Sequence, residues 1–425
     1  MPSSYKSTLQ YLLSLERHGI KPGLERISRL VKLLGGPQLI YPAVHVAGTN
    51  GKGSTSAMLS SVLNEAGMRT GLYTSPHLVK FNERIQVSGR MITGPELREA
   101  ARIVKKAAAK MPGSPITFFE FTTAIAFVHF SLKEVDIAVI ETGMGGRFDA
   151  TNTLLPEVSV ITNVNVDHTQ YLGSGLKEIA FEKSGIIKPG RPVVTGEIKK
   201  APLSVIRKRA KESSSSLYVL NRDFSVQIAP SSLSYSGLEL ELNGLRLGLS
   251  GPHQAMNAGL SLAAIEALRQ RGFNIPVSAI RAGLKKAAWP GRFETISKKP
   301  LVLLDGAHNP AGARTLANAL KDLSYKRLIL VLGIMADKDI DAILKELIPL
   351  CDEAIATEPR MERSAAAAML AEKIRAFGKP ALEVRRVKDA CKEAIQRAGK
   401  NDCVCVTGSL FTVGEARAFL VKPRS

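Results

Sequence analysis

The first part of the chain alternates between short apolar runs and longer segments with helical spacing. Ala43–Ala47 is such a run, and helical spacing follows it as far as Gly67. Further strands are predicted at Thr70–Tyr73, Val135–Ile140 and Val158–Val164. Helices are predicted at Gly94–Lys110, Phe121–Phe130 and Leu176–Gly185. Because strands that alternate with helices usually pair in parallel, this pattern predicts a mainly parallel sheet with helices on both faces.

The pattern changes near residue 216, where apolar and polar residues begin to alternate with the period of two that is typical of strands. In Leu238–Leu249 this alternation is strict and is centred on Asn243-Gly244, a pair that favours the tight turn of a β-hairpin. We therefore predict a small antiparallel appendage at about residues 216–250. A helix is predicted directly after it, at Gly251–Leu268.

The periodicity stops at Trp289-Pro290-Gly291, which is a candidate linker. Beyond it strands are predicted at Leu301–Leu304, Leu328–Leu332, Glu353–Thr357 and Val404–Thr407, with helices between them. A chain of 425 residues is too long for one ordinary core, so two domains are expected. The prediction is an α/β protein with a larger domain at 1–291, similar to phosphate-loop NTPases, and a smaller Rossmann-like C-terminal domain at 292–425.

The loop after the first strand has the composition of a phosphate-binding loop. Residues 44–59 are VHVAGTNGKGSTSAML, so glycines and Lys52 stand between a strand and a helix. Backbone N–H groups and the positive end of the helix dipole would meet there, and Lys52 adds a full charge. The usual pattern G-x-x-x-x-G-K-[ST] is missed twice, because Val46 replaces the first glycine and Gly53 follows Lys52. A glycine-rich turn in an unrelated α/β domain is therefore the alternative.

Polar residues follow the other predicted strands of the first domain, among them Ser75, Glu141 and His168. Ligands of parallel sheets bind beyond the carboxyl ends of the strands, so these side chains are expected near the phosphate loop. Glu141 has the placement of a metal-binding acid, and Mg²⁺ prefers oxygen ligands. The alternatives are an ordinary acid at a strand end for Glu141 and a structural histidine for His168.

The chain has a formal net charge of +20, which predicts an anionic partner. Its basic residues are scattered in small groups without interleaved aromatics, so we expect small anions and no nucleic acid. No G-x-S-x-G elbow or catalytic cysteine signature is present.

The four cysteines are Cys351, Cys391, Cys403 and Cys405, and they lack the spacing of a zinc site. We expect buried free thiols. No apolar stretch is long enough to span a bilayer, and residues 1–20 do not form a secretory signal. We therefore expect a cytoplasmic, monomeric protein without a membrane partner.

Eight motifs appear in order across nearly the whole chain: HVAGTNGKGS, YTSPHLVKFNERI, ETGMGGRFDATN, VNVDHTQYLG, EKSGIIKPG, GPHQAMNA, WPGRFE and DGAHNPAGA. Together they resemble the dihydrofolate synthase/folylpolyglutamate synthase family, a branch of the ATP-dependent Mur-type amide ligases. The departure of this phosphate loop from the usual sequence pattern is typical of this family. The resemblance implies a loop that holds the phosphates of ATP while an amide bond is made.

The resemblance also implies a role for individual residues. ATP would be bound by Gly51, Lys52, Gly53, Ser54, Asn257, Arg292 and Asp305. Two Mg²⁺ ions are implied, with Ser75, Glu141 and His168 as metal ligands. The pteroate end of the acceptor would be bound by Thr117, Phe118, Phe119, Glu120, Phe148, Asp149 and Ala150. The implied catalytic residues are Lys52, Asp305, His308 and Lys183, which is typically carbamylated in this family.

The implied reaction adds L-glutamate to dihydropteroate, to the γ-carboxylate of reduced folates, or to both, through an acyl phosphate. The sequence leaves open which of these acceptors is used, which reduced folate is preferred and how long the glutamate tail becomes. A cell-wall Mur ligase is one alternative, but such enzymes carry a nucleotide-sugar domain before the loop, which we do not expect here. A nucleic-acid-associated ATPase is a second alternative, and an ordinary phosphate loop would be expected in it.

Overall fold

The computed structural model describes residues 4–19, 21–229 and 232–421. The chain divides into two compact units. The first unit comprises the described residues up to His77, Phe81–Gly248 and Gln254–Ala288. The second comprises Leu78–Lys80, Leu249–His253 and the described residues from Trp289 onwards. The assignment of 1–291 and 292–425 to two domains stays a prediction.

A mainly parallel sheet lies at the centre of the first unit. Its strands are β1 (Ala43–Ala47), β2 (Thr70–Tyr73), β3 (Ile85–Val87), β4 (Arg90–Met91), β5 (Ile137–Glu141), β6 (Val158–Ile161), β7 (Val193–Thr195) and β8 (Leu217–Val219). They are hydrogen-bonded in the order β4-β3-β2-β5-β1-β6-β7-β8. The pairs β2–β3 and β3–β4 are antiparallel, and the other pairs are parallel. The carboxyl ends of β1, β2, β5 and β6 therefore meet along one edge of the sheet.

Ten α-helices precede, separate or follow the strands of this unit along the described part of the chain. They are α1 (Tyr5–Ser14), α2 (Glu25–Leu33), α3 (Lys52–Glu65), α4 (Gly94–Ala108), α5 (Phe118–Leu132), α6 (Thr169–Leu172), α7 (Leu176–Ser184), α8 (Lys200–Glu212), α9 (His253–Gln270) and α10 (Val277–Lys286). Short 3₁₀ helices cover Leu15–His18, Pro37–Leu39, Phe81–Arg84 and Ala150–Thr153. Among the described residues, every helix is too short or too polar to cross a membrane.

The first turn of α5 lies further upstream than the apolar pattern predicted. Thr117 caps this helix, and its hydroxyl accepts a hydrogen bond from the backbone N–H of Glu120 at 3.2 Å. The Glu120 carboxylate accepts in turn from the Thr117 N–H at 2.8 Å. This reciprocal capping box satisfies donors that a helix start otherwise leaves unpaired, so the helix begins at Phe118 and not at Phe121.

A small antiparallel sheet, β9 (Ser225–Ala229), β10 (Ser232–Ser236) and β11 (Glu241–Leu245), confirms the predicted appendage. Its extent is smaller than 216–250, because Leu217–Val219 joins the parallel sheet as β8. The buried Glu266 of α9 holds the turn before β11, since its carboxylate accepts from the backbone N–H groups of Leu238, Glu239 and Leu240.

The hairpin predicted at Asn243-Gly244 is wrong, because both residues lie inside β11. The register passes from Leu233↔Leu245 to Tyr235↔Leu242, so β11 contains one extra residue. Gly244 adopts φ +67°, which suits a β-bulge that needs a left-handed residue. An Asn-Gly pair supports either a turn or a bulge, and the pairing of the neighbouring strand decides between them.

The second unit contains another mainly parallel sheet. Its strands are β12 (Glu294–Lys298), β13 (Leu301–Leu304), β14 (Leu328–Leu332), β15 (Glu353–Glu358), β16 (Ala381–Arg386) and β17 (Cys403–Thr407), in the order β12-β13-β17-β14-β15-β16. Among the described residues of this sheet, the pair β12–β13 is antiparallel and the other pairs are parallel. The helices are α11 (Pro310–Lys321), α12 (Ile340–Leu347), α13 (Ala367–Ala376), α14 (Val387–Arg397) and α15 (Leu410–Leu420), with a 3₁₀ helix at Ile348–Leu350.

Apolar residues of this second sheet enter two separate core clusters, so both of its faces are covered. The four cysteines are buried free thiols, as predicted. Burial raises the pKa of the Cys351 thiol to about 11 and that of Cys403 to about 12, so both thiols stay protonated at neutral pH. The predicted fold class, two α/β sheets with a small antiparallel appendage, is confirmed.

Candidate active site

The phosphate loop lies between β1 and α3, as the sequence predicted. Two of its glycines have positive φ angles, +150° at Gly48 and +85° at Gly51. A Cβ atom on Gly48 would lie 1.8 Å from the Thr162 hydroxyl oxygen. The Nζ of Lys52 donates to the carbonyl oxygens of Gly48 at 3.1 Å and Thr49 at 3.3 Å. The lysine thus holds the loop in shape and keeps its charge beside the first turn of α3.

The segment after β6 supports the loop from its other side. The Thr162 hydroxyl and the Asn163 amide donate to the Asn50 carbonyl oxygen at 2.6 and 2.9 Å. The Asn163 side-chain oxygen accepts from the Asn50 N–H at 3.0 Å. The predicted strand Val158–Val164 ends at Ile161, because the residues that follow contact the loop and not another strand. Thr162 and Asn163 were not among the predicted site residues, because no motif in the sequence marks them.

Asn257, one of the predicted ATP-binding residues, lies on α9 beside the phosphate loop. A Cβ atom on Gly51 would lie 2.3 Å from the Asn257 side-chain oxygen. The Asn257 amide donates to Gln254 at 2.9 Å, which orients the side chain. The fold therefore brings together two predicted ATP residues that are 206 positions apart in the chain.

Of the three predicted metal ligands, Ser75 and Glu141 are in direct contact. Glu141 is buried at the end of β5, and one of its carboxylate oxygens accepts from the Ser75 N–H at 3.3 Å. His168 has an exposed side chain and a φ of +51°, and its Nε2 lies 3.9 Å from an Asp167 carboxylate oxygen. Within the described residues, no cluster of three or more histidine, cysteine or acidic side chains has the arrangement of a metal site.

Lys183 lies in the last turn of α7 and is 3% exposed. Burial lowers the pKa of its ammonium to about 7, and the charge of Lys52 acts in the same direction. Asp167 and Asp149 raise that pKa and only partly offset the burial. A large fraction of Lys183 is therefore a neutral amine at pH 7. Asp167 was not among the predicted site residues, although it directly precedes His168.

The first predicted pteroate segment, Thr117–Glu120, forms a wall of aromatic and buried polar residues at the start of α5. Phe119 packs so closely that a Cβ atom on Gly143 would lie 2.4 Å from its ring. Its ring centroid is 6.2 Å from that of Tyr73. Glu120 is buried and forms an ion pair with Arg26 at 3.0 Å. Thr117 and Glu120 thus use their polar groups to fix the start of α5, and the phenylalanines supply flat apolar surface.

The second predicted pteroate segment is Phe148–Ala150. Phe148 is 42% exposed, and the Arg147 guanidinium carbon lies 4.1 Å from its ring centroid. Asp149 is buried, which raises its pKa, but hydrogen bonds from Thr151 and Met144 lower it in part. The segment thus places an exposed ring beside a fixed carboxyl group.

A buried hydrogen-bond chain links this segment to β1. The Thr151 hydroxyl donates to Asp149, and the His45 Nε2 lies 2.8 Å from the Thr151 hydroxyl oxygen. Burial lowers the pKa of His45 to about 3, and the charge of Lys188 adds to this effect. His45 is therefore neutral at pH 7. It lies in the strand that enters the phosphate loop.

In the second unit, Asp305, His308 and Arg292 lie around the end of β13. The two Asp305 carboxylate oxygens accept from the N–H groups of Phe293 and Ala307, both at 2.9 Å. The His308 Nδ1 lies 2.8 Å from the Gly306 carbonyl oxygen, so this nitrogen carries the proton. A Cβ atom on Gly306 would lie 2.2 Å from the Arg292 guanidinium. The fold thus brings all three predicted residues of this unit to one turn.

Comparison with known proteins matches both units to one family. Residues 46–265 match the Mur ligase middle domain, and residues 291–410 match the Mur ligase, glutamate ligase domain.

The dihydrofolate synthase/folylpolyglutamate synthase of Bacillus subtilis is 36% identical over 98% of this chain and 99% of its own length. A probable bifunctional folylpolyglutamate synthase/dihydropteroate synthase of Haloferax volcanii is 39% identical over 97% of this chain. The chain spans 50% of the length of that relative.

A solved structure with a similar fold belongs to the bifunctional folylpolyglutamate synthase/dihydrofolate synthase of Yersinia pestis, complexed with AMPPNP and a Mn ion. It has a TM-score of 0.90 and 33% sequence identity, and the match covers 98% of each chain. With its two matched domains, its motifs and these full-length similarities, the chain belongs to the dihydrofolate synthase/folylpolyglutamate synthase family of Mur ligases.

Proposed function

We propose that this protein uses ATP to join L-glutamate both to dihydropteroate and to the γ-carboxylate of reduced folates. The observation that carries the proposal is the arrangement in the first unit of the phosphate loop, the buried Glu141 and the buried Lys183, whose pKa responds to the charge of Lys52. Loop and lysine suit a phosphoryl transfer, and the aromatic wall beside them suits a flat acceptor. ATP, a divalent cation and small anionic substrates are the ligands that this arrangement requires.

The reaction proceeds in two steps. A carboxylate oxygen of the acceptor bonds to the γ-phosphorus of ATP, and the bond from that phosphorus to the β-phosphate oxygen breaks, which releases ADP. The glutamate amine then bonds to the acyl carbon and loses a proton, while the acyl C–O bond breaks and phosphate leaves. Lys52 stabilises the charge that develops on the transferred phosphoryl group, and Gly51, Gly53 and Ser54 supply donors to the phosphates.

The residues near Glu141 fit a divalent cation. The Glu141 carboxylate is buried, and the Ser75 residue is held beside it by a backbone hydrogen bond of 3.3 Å. Carboxylate and hydroxyl oxygens are ligands that Mg²⁺ prefers. Ser75, Glu141 and His168 would hold one Mg²⁺, and a carbamate on Lys183 would help to position a second. Mg²⁺ would neutralise charge on the ATP phosphates during transfer.

Lys183 is carbamylated in the active enzyme. CO₂ adds only to a neutral amine, and the pKa of about 7 provides that form at neutral pH. In this step the amine nitrogen bonds to the carbon of CO₂, one proton leaves to solvent, and an anionic carbamate remains. The positive charge of Lys52 would then stabilise the carbamate, whereas it destabilises the ammonium.

Labelled bicarbonate tests the carbamate directly. Protein equilibrated with ¹³C-bicarbonate at pH 8 should show a carbamate carbon signal that Lys183→Ala lacks. The signal should weaken as the pH falls through 7, because protonation removes the nucleophilic amine. Lys188→Ala is a matched control, since burial also lowers the pKa of Lys188. A spectrum without a Lys183-dependent signal at pH 8 would show that this lysine is unmodified.

The remaining site assignments are part of the proposal. Asn257 binds the adenine, Arg292 and Asp305 bind ATP, and His308 acts in catalysis. The pteroate group is bound by Thr117, Phe118, Phe119, Glu120, Phe148, Asp149 and Ala150. Phe148 is the ring of this set with more than a third of its surface exposed, which makes it available for stacking on a pterin.

A phosphate-release assay tests the function. ATP, Mg²⁺ and L-glutamate are supplied with dihydropteroate in one arm and with tetrahydrofolate in the other. Both arms should release phosphate at rates far above the rate without acceptor, and mass spectrometry should find one added glutamate in each product. Turnover in one arm alone would restrict the enzyme to that acceptor. If the rate of phosphate release from ATP is the same with and without every pteroate and folate tested, the proposed function is contradicted.

A further inference from the structure

Arg84 is a buried cation at the end of the 3₁₀ helix Phe81–Arg84. Its side chain is 7% exposed, and its Nε donates to the His77 Nδ1 at 2.8 Å. Arginine nitrogens only donate, so this contact leaves the His77 Nδ1 unprotonated and makes the imidazole neutral. The bond to His77 therefore holds the guanidinium in place without neutralising its charge.

The rest of the guanidinium lies among aromatic rings. Its central carbon is 5.3 Å from the ring centroid of Phe118 and 5.8 Å from that of Phe81. Among the described residues, no carboxylate lies at ion-pair distance from Arg84, and no acceptor lies at hydrogen-bond distance from its two terminal nitrogens. A buried charge without a direct ion pair is costly, so an anionic ligand that completes the pairing would bind favourably there.

The position of Arg84 indicates which ligand this is. On one side it contacts Phe118, which belongs to the wall proposed for the pteroate group. On the other side it holds His77, two residues after Ser75, whose N–H donates to Glu141. Burial lowers the pKa of Arg84, and the charges of Tyr73, Glu16, Glu141 and Glu83 partly offset this shift, so Glu141 is one of several acidic groups within electrostatic reach of the guanidinium. Arg84 thus lies between the acceptor wall and the residues proposed for the metal.

The atoms that must occupy this place are those of the acceptor's carboxylate. In the proposed function, that group has to extend from the pteroate wall toward the γ-phosphate of ATP. A guanidinium presents two parallel N–H donors that match a carboxylate, and such a pair is strong where water is excluded.

We propose that Arg84 binds the reacting carboxylate of the acceptor, with His77 as the residue that positions its guanidinium. This inference rests on the proposed function. During phosphorylation one oxygen attacks the γ-phosphorus, and the other keeps its contact with Arg84. In the second step that oxygen is the carbonyl oxygen of the acyl phosphate, which gains negative charge as the glutamate amine adds. Arg84 therefore selects acceptors by their carboxylate and stabilises both steps.

The test compares two ligands on one variant. Arg84→Met keeps much of the side-chain volume and removes the charge. Calorimetry with ADP and Mg²⁺ present measures the Kd of pteroate and of the same pteridine–aniline compound without its carboxylate. Wild-type protein should bind pteroate more tightly, and Arg84→Met should lose about 30- to 1,000-fold of pteroate affinity while it binds the other compound as before. A merely structural role would weaken both ligands equally.

A control variant and a replacement variant complete the experiment. Arg102→Met removes an exposed arginine of α4 that pairs with Glu99, and it should leave both affinities unchanged. If Arg84→Met does not fold, Arg84→Lys replaces it, because lysine keeps the charge without the bidentate geometry and should lose about tenfold of the discrimination. Unchanged discrimination between the two ligands in the folded variant overturns the inference. Wild-type protein without acceptor-dependent ATP turnover would instead contradict the proposed function.

Discussion

Two loops of this protein each connect a parallel strand with the helix that follows it. They differ in whether a side chain of the loop caps that helix. Gly48–Gly51 connects β1 with α3, and residues 305–309 connect β13 with α11. The first helix starts after Gly51, and no side chain caps it. The second starts after Asn309, whose side-chain oxygen accepts from the Gly312 N–H at 2.8 Å.

This difference separates two ways of building a binding loop. In the second loop, Asp305 and Asn309 satisfy backbone donors from within the chain, so the turn is held rigidly and offers side chains such as His308. In the first loop, glycines replace the capping side chains, and the donors at the start of α3 are available to an external anion. A phosphate can take the place of the cap only where the protein has not supplied one.

The largest expected effect comes from the charge at the first loop. Lys52→Met removes the cation beside the phosphates and the bonds to Gly48 and Thr49, so kcat should fall about 10³-fold in the phosphate-release assay. Lys321→Met, at the end of α11, should leave kcat within about twofold of wild type. A loss of less than tenfold in Lys52→Met would remove the distinction between the two loops.

Alanine substitutions at Gly51 of the first loop and at Gly312, in the first turn of α11, test the same difference. Gly51→Ala forces a side chain into φ +85° and within 2.3 Å of the Asn257 oxygen, so kcat/KM for ATP should fall about 100-fold. In Gly312→Ala the nearest atom is the Asn309 oxygen at 3.2 Å, and the backbone is helical. This variant should keep kcat/KM within about threefold. Similar losses in both variants would contradict the proposed difference.

The strands that precede the two loops should contribute differently to the loss of folding stability at acidic pH. β1 contains the buried His45, whereas the residues of β13 are all leucine or valine. The folded pKa of His45 is about 3 against a reference of 6.5, so its contribution to stability is complete above pH 6.5 and is lost as the pH falls toward 3. At pH 5 the loss is about 2 kcal/mol. Urea unfolding at pH 7 and pH 5 measures it, and His45→Gln should reduce the difference by that amount. An unchanged pH dependence in His45→Gln would exclude His45 as its source.

The smallest expected change in stability comes from the N-cap of α11, which is Asn309. Asn309→Ala should lower the free energy of unfolding by about 1 kcal/mol, because the Gly312 N–H loses its acceptor. Thermal unfolding measures this change, and Lys321→Met serves as a control that touches no cap. A change below about 0.3 kcal/mol would show that the cap contributes little to the rigidity of this turn.

Local sequence was sufficient for much of the fold. β1 and β14 have the predicted bounds, because a short apolar run that ends at a glycine predicts a buried strand without further information. The prediction was less accurate where a side chain sets the boundary, as Thr117 does for α5. It was wrong at Asn243-Gly244, where the pairing with β10 makes a bulge out of a turn signal.

Patterns within short segments were enough to predict the fold class, the family and the residue types at the strand ends. Which of those residues meet depends on the packing of segments that are distant in the chain. This packing placed Asn257 against Gly51, buried Lys183 in the field of Lys52, and held Arg84 between Phe118 and His77. Burial and the approach of distant charges change the pKa and the binding capacity of a side chain. Both depend on how the helices and loops pack at the edge of the sheet, which no short segment specifies.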